Sequence, residues 1–146
     1  MRLRRSPLMI ALLATMALAG CHSKTATPVA ATPATVNVQH LNGSTEVKKH
    51  PQRIVVLDYA SLETLQLLGV EPLALPGNRK NLPDSLKRYQ DDKYLNAGTL
   101  FKPDMAVLRA AKPDLILIAG RASKAYDELN ALAPTLNMSV DPQDQL

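Results

Sequence analysis

The sequence predicts an α/β fold: a parallel-sheet lobe of three layers, preceded by a β-hairpin. Three observations predict it. Ile54-Val55-Val56-Leu57 and Leu115-Ile116-Leu117-Ile118-Ala119 are apolar runs without alternation, which is how a strand reads when helices cover both of its faces. Between such runs lie segments with apolar residues at helical spacing, and strand, helix, strand, helix in succession is the pattern of a parallel sheet with crossovers on its faces. Turn words such as Gly77-Asn78, Gly98-Thr99 and Gly120-Arg121 follow the runs.

The elements follow in order. Val36, Val38 and His40 alternate with Asn37, Gln39 and Leu41; Asn42-Gly43 then supplies a positive-φ turn, and Thr45 to Lys48 returns as the second strand of a hairpin. Ile54 to Asp58 is a buried strand. Ser61 is placed to cap a helix with Leu62, Leu65 and Leu68 on one face, and Gly69 to stop it in the left-handed conformation. Glu71 to Leu75 reads as a short strand ended by Pro76-Gly77-Asn78, residues 84–91 as a polar helix, and Leu95 to Ala97 as a brief strand. Pro103 at a first helical position, followed by Asp104, starts a helix that turns Met105, Leu108 and Ala111 inward. After the strand 115–119 come a helix from Ser123 to Leu132, with Ala125, Leu129 and Leu132 on one side, and a last strand around Asn137 to Val140.

Ahead of the lobe the composition changes. Met1-Arg2-Leu3-Arg4-Arg5 is cationic and Pro7 to Ala19 is apolar, too short for the roughly 20 residues of a stable membrane anchor, so residues 1–20 read as a secretory signal. Leu18-Ala19-Gly20-Cys21 contains the chain's one cysteine and resembles a bacterial lipobox, which implies cleavage before Cys21 and a diacylglycerol on its sulfur. Residues 21–35, rich in Ala, Thr and Pro, have the composition of an extended linker between lipid and domain. Removing Arg2, Arg4 and Arg5 with the signal takes the formal charge from +4 to +1. No basic stripe interleaved with aromatics remains, so nucleic acid is not an expected partner.

Ligands of parallel α/β sheets bind outside the carboxyl ends of the strands. Asp58-Tyr59-Ala60-Ser61, Gly77-Asn78-Arg79-Lys80, Gly98-Thr99-Leu100 and Gly120-Arg121-Ala122-Ser123 all follow strands and belong on that rim. It collects Arg79, Lys80, Arg121 and Lys124 with Tyr59 and Tyr126 nearby. Guanidinium offers forked hydrogen bonds and a flat stacking face, so such a rim suits an anionic, aromatic ligand. Arg121 is the cation whose direction a strand-to-helix turn fixes best.

Enzyme classes find no support. No G-x-G-x-x-G follows the first buried strand, and the chain lacks a P-loop, a Gly-x-Ser-x-Gly and a His-Glu-x-x-His. His22, His40 and His50 are the only histidines, one beside the lipid anchor and two flanking the hairpin, which does not build a zinc site or a triad. Asp91-Asp92, next to Lys93, reads as a solvated helix end.

The words PQRIVVLDYASLETLQLLGV, GTLFKPDMAVLRAAKPDLILIAGR and SKAYDELNALAPTLNMSVD stand in order between residues 38 and 141. They resemble the N-terminal lobe of periplasmic siderophore-binding lipoproteins, the solute receptors of iron-uptake ABC transporters, with the closest likeness to the catecholate branch. The resemblance implies a helical-backbone periplasmic binding protein whose two lobes face each other across a cleft. It implies that Arg121 contacts catecholate oxygens, with Lys124 as a second contact and Tyr59 and Asn78 lining the cleft; Arg79 joins them from the rim. It also implies a ferric siderophore as ligand, no intrinsic cofactor or metal of the protein's own, and a membrane permease as partner, for which Asp127 and Glu128 are exposed candidates. The expected location is the periplasmic side of a bacterial membrane, held by the lipid.

The family continues beyond a stretch like SVDPQDQL into a backbone helix and a second lobe. The expectation here is a single lobe, residues 36–146, with the second lobe missing and the cleft open on one side. Two other readings remain: a receptor for haem or vitamin B12, and a lipoprotein remnant that binds nothing. The lipobox predicts that Cys21→Ser abolishes incorporation of labelled fatty acid and leaves an uncleaved or soluble product; unchanged labelling overturns it.

Overall fold

The computed structural model describes residues 34–141 and 143. The chain divides into two units, residues 1–31 and 32–146, and every described residue belongs to the second. The signal, Cys21 and most of the linker lie outside the described residues.

Strands β1 (Thr35–His40) and β2 (Gly43–Lys48) form an antiparallel hairpin with Val36 opposite Val47 and Val38 opposite Thr45. The first strand thus begins at the last residue of the expected linker. The turn sits one residue earlier than the sequence suggested: Leu41 and Asn42 form the loop, and Gly43, at φ 117°, opens the return strand. Val47 is buried and fastens the hairpin to the main body.

The main sheet has five parallel strands in the order β5-β4-β3-β6-β7. They are β3 (Ile54–Val56), β4 (Ala74–Leu75), β5 (Leu95–Asn96), β6 (Leu115–Ile118) and β7 (Thr135–Asn137). Successive residues of the central strands enter different cores. Ile54, Val56, Leu115 and Leu117 join Leu62 and Leu65 of helix α1 (Tyr59–Leu67) and Leu86 and Tyr89 of a 3-10 segment, Asp84–Gln90. Val55, Leu57, Ile116 and Ile118 join Leu108 of α2 (Met105–Ala111), Ala122 of a second 3-10 segment (Gly120–Ala125) and Leu129 of α3 (Tyr126–Asn130). This is the three-layer lobe: elements on both faces of a parallel sheet, each fully buried Leu or Ile contributing about 1.5–3 kcal/mol.

Several boundaries differ from the sequence reading, each for a local reason. Asp58, not Ser61, caps α1: its Oδ2 accepts from the Ser61 backbone N–H at 2.7 Å and from the Ser61 hydroxyl at 2.9 Å. Ser61 lies inside the first turn of α1, where it supplies donors to the cap instead of being the cap. Leu68 is 69% exposed and Leu67 87% exposed, because α1 closes there; Gly69 at φ 68° and Val70, whose N–H donates to the Leu65 carbonyl at 2.9 Å, complete the terminus. Pro103 lies ahead of α2 in a bridge to Gly98, and Asp104 is the cap, accepting from the N–H groups of Ala106 and Val107. The helix expected over 123–132 is a 3-10 segment leading into a five-residue α3. The last strand is Thr135–Asn137 and not 137–140: the Ile116 N–H donates to the Pro134 carbonyl at 2.9 Å and pairs β6 with residues 135–137. The segment expected to be a polar helix is a 3-10 stretch that buries Leu86 and Tyr89 completely.

The starts of β3 and β6 are joined reciprocally. The Asp114 N–H donates to the Arg53 carbonyl at 3.0 Å, and the Asp114 carboxylate accepts from the N–H groups of Arg53 (2.8 Å) and Gln52 (3.1 Å). Arg53 Nε donates to the carbonyls of Ala111 and Lys112, which end α2, and Lys48 Nζ lies 3.5 Å from Asp114. Burial pushes the Asp114 carboxyl up, but the two amide donors and Lys48 outweigh it, so its pKa lies below the ordinary value. A group depressed in this way contributes stability above the ordinary carboxylate range and loses it as pH falls through the depressed value. Asp114→Ala is expected to cost about 1–3 kcal/mol at neutral pH by leaving amide donors unpaired. In urea titrations at several pH values, the gap between wild type and variant should shrink in acid; a gap independent of pH contradicts the assignment.

Candidate functional site

The strand order places β3 and β6 side by side, with their crossovers leading away in opposite directions along the sheet. This is a topological switch point, where the loops beyond neighbouring strands separate and leave a crevice. Tyr59 follows β3 and Arg121 follows β6, so these two residues flank it.

Arg121 is exposed at the start of the 3-10 segment after β6. That segment is anchored by Ala122, 1% exposed, and by the Ala122 N–H donating to the Ala119 carbonyl at 2.9 Å. The anchor turns its neighbour Arg121 outward, and no salt bridge holds Arg121 among the described residues. Lys124 lies exposed in the same segment. Tyr59 is half-buried at the first position of α1. Burial raises its phenol pKa, and the Arg121 guanidinium pulls it back down, so the two groups share one electrostatic environment. The Tyr59 hydroxyl donates to the Asn78 carbonyl at 3.1 Å, which ties the loop after β4 to the loop after β3.

Asn78 is exposed in that loop, and Arg79 beside it is half-buried. One Arg79 nitrogen, Nη1, donates to the carbonyls of Asp91 and Tyr94, each at 3.1 Å. The structure therefore brings Tyr59, Arg121 and Asn78 into one neighbourhood, while Arg79 turns toward the segment leading into β5. Tyr126 faces away from Tyr59: its ring lies tilted against His40, centroids 5.8 Å apart, at the hairpin.

Two glycines set how closely the rim loops approach. Gly77 N–H donates to the Gly98 carbonyl at 2.7 Å, and a Cβ on Gly77 would overlap the Asn96 side-chain amide. Asn96 Oδ1 in turn accepts from the Gly98 N–H at 2.9 Å. Gly98 has φ 92°, and a Cβ there would meet the backbone of Lys102 and Asp104 at 2.5–2.6 Å.

Sequence reasoning missed Asn137, which is 2% exposed at the end of β7. Its Nδ2 donates to Asn42 Oδ1 at 2.7 Å, and its Oδ1 accepts from the Ser139 N–H and hydroxyl. Its backbone N–H approaches His40 Nδ1 at 3.4 Å, and His40 Nδ1 also accepts from the Asn42 N–H at 3.2 Å. Burial lowers the His40 pKa, in keeping with a neutral ring that accepts at Nδ1. A lone Asn in an apolar strand was the available signal. Beside this network a cavity of about 420 Å³ is lined by residues of β1, the hairpin turn and Ser139 to Asp141.

No family model matches the chain. Individual proteins do. Over 107 residues it is 38% identical to the petrobactin-binding protein YclQ of Bacillus subtilis, covering 73% of this chain and 34% of that protein. The ferric-anguibactin-binding protein FatB of Vibrio anguillarum is 32% identical over 128 residues, 85% of this chain and 39% of FatB. The crystal structure of the periplasmic catecholate-siderophore binding protein VctP from Vibrio cholerae superposes with a TM-score of 0.71 at 40% identity, over 76% of this chain and 39% of VctP. The chain belongs to the periplasmic siderophore-binding proteins. It spans between a third and two-fifths of the length of these family members. The α/β lobe described above is the part of these proteins that the chain matches, and membership places the chain in the bacterial cell envelope.

The glycine geometry predicts an order of severity. Gly98→Ala adds a positive-φ penalty of about 1–2 kcal/mol to overlap with backbone, whereas Gly77→Ala displaces only a side-chain end. Thermal unfolding should show the larger loss for Gly98→Ala, and Asn96→Ala should relieve part of the Gly77→Ala loss; equal losses contradict the close approach of these loops.

Proposed function

We propose that the chain is the ligand-capturing lobe of a lipid-anchored, non-enzymatic receptor that takes a ferric siderophore of the catecholate class and passes it to an ABC-transporter permease. The observation that carries this reading is the placement of Arg121 and Tyr59 at the ends of the adjacent strands β6 and β3, on either side of the switch-point crevice, with an exposed guanidinium that has no carboxylate partner among the described residues. Catecholate oxygens are anionic and the rings are flat, so a guanidinium can meet them by charge-assisted hydrogen bonds and by stacking. Lys124 adds positive charge in the same segment, and the loop carrying Asn78 and Lys80 supplies the neighbouring wall. Iron is cargo held by its chelator.

Family membership supports the same reading, since YclQ, FatB and VctP are named for petrobactin, ferric anguibactin and catecholate siderophores. No observation favours haem or vitamin B12. The lipobox at Cys21 supports a tether to the membrane, with residues 21–35 as the linker. Asp127 and Glu128, exposed on α3, are the carboxylates proposed to meet the permease.

Removing one charge-assisted hydrogen bond costs about 1.5–3 kcal/mol, so Arg121→Ala should weaken binding of a ferric catecholate tenfold or more. Folding stability should barely change, because an exposed loop cation supports little packing. The chain has four tyrosines and no tryptophan, so quenching of tyrosine fluorescence reads the titration directly. Equal affinity of variant and wild type leaves Arg121 a surface charge and removes the main support for the reading.

A further inference from the structure

The loop after β4 has little backbone bonding of its own, and three of its successive carbonyls accept from side chains. Asn78 O accepts from Tyr59 Oη at 3.1 Å, Arg79 O from Gln90 Nε2 at 3.0 Å and Lys80 O from Gln90 Nε2 at 3.3 Å. The Arg79 side chain reaches back the other way, its Nη1 donating to the carbonyls of Asp91 and Tyr94. Gln90 and Arg79 thus form a reciprocal bracket between the loop and residues 90–94. That segment is itself fixed, because Tyr89 and Tyr94 are 0% and 4% exposed and their rings lie 5.3 Å apart. A cavity of about 330 Å³ opens at the bracket, lined by Gly77, Arg79, Lys80, Gln90 and Asp92.

We infer that Gln90 is a positioning residue for the ligand-facing loop, and that Arg79 braces the loop with it, leaving Lys80 as the loop's cation at the open cavity. The inference rests on the ferric-siderophore reading and deepens it. The physical reason is orientational: a loop with few backbone bonds of its own samples many conformations, and a wall that must be ordered on binding loses affinity to that ordering. A carboxamide that bonds two adjacent carbonyls orders it beforehand. Gln90 carries no charge, so its effect on an anionic ligand cannot be direct attraction.

The test uses the full chain, with the tris-catecholate complex of iron(III) as probe. Affinity is read by tyrosine quenching, loop order by amide hydrogen exchange at residues 77–81, and global stability by thermal unfolding. Gln90→Ala and Arg79→Ala should each weaken binding about three- to tenfold and speed exchange at 77–81, with little change in Tm. The double variant should lose little more than either single one, because the two residues act through one bracket. Lys80→Ala should weaken binding and leave exchange unchanged. Gln90→Met, which keeps the length, loses the donor and adds no charge, should behave like Gln90→Ala and keeps the test decisive if Arg79→Ala fails to fold. The inference is overturned if Gln90→Ala changes neither affinity nor exchange, or if the losses of the two single variants add in the double, which makes Arg79 a ligand contact in its own right. If wild type fails to bind the probe, the siderophore reading fails, and exchange in Gln90→Ala still decides whether the bracket orders the loop.

Discussion

The reciprocal pairing of Arg53 and Asp114 is the contact on which the rest of the lobe depends. Each backbone meets the other residue, Asp114 N–H to Arg53 O and Arg53 N–H to the Asp114 carboxylate, so the two central strands start in a fixed register. The same arginine gathers the last carbonyls of α2. Because side chains alternate along a strand, a slip of one residue would exchange the two cores completely. Ile54 and Val56 would face the layer built for Val55 and Leu57, and both faces are packed too tightly to accept that.

That register at one end of the sheet decides geometry at the other. With β3 and β6 locked as neighbours, Tyr59 and Arg121 emerge next to each other at their carboxyl ends, although 62 positions separate them in sequence. The cation needs no partner within the protein to stay there, since Ala122 buries beside it and sets its direction. Among the described residues that guanidinium has no salt-bridge partner, whereas a cation bonded to carbonyls has part of its donor capacity committed. Arg79 illustrates the contrast: similar chemistry, one loop away, with a nitrogen committed to two backbone acceptors.

The rim loops differ in how they are held, and the difference bears on recognition. The turn after β6 follows directly from a buried strand and a short helical segment. The loop after β4 relies on side chains from other elements, Tyr59 above and Gln90 beside it, and on the contact of Gly77 with Asn96 beneath. The shape of the second kind of loop can change more readily, because it depends on a few exchangeable side chains and not on the sheet.

The sequence by itself determined the sheet, its two-faced burial, the hairpin and the placement of Tyr59, Asn78, Arg79 and Arg121 after strands. These are local readings: an unbroken β-branched run, helical spacing of leucines, and glycines after strands report on the residues that carry them. It misassigned the cap of α1 to Ser61 and turned Leu68 inward, because a cap is a contest between nearby donors and acceptors that composition does not rank. Only the tertiary structure decided which rim residues meet. The strand order, which no single segment encodes, joined Tyr59 to Arg121, sent Tyr126 to His40 and left Arg79 braced with Gln90. Asn137 escaped notice for the same reason, since Asn42 and His40 meet it only when the hairpin packs against β7. Contacts between residues distant in sequence depend on how the sheet is assembled, and that is a property of the whole core.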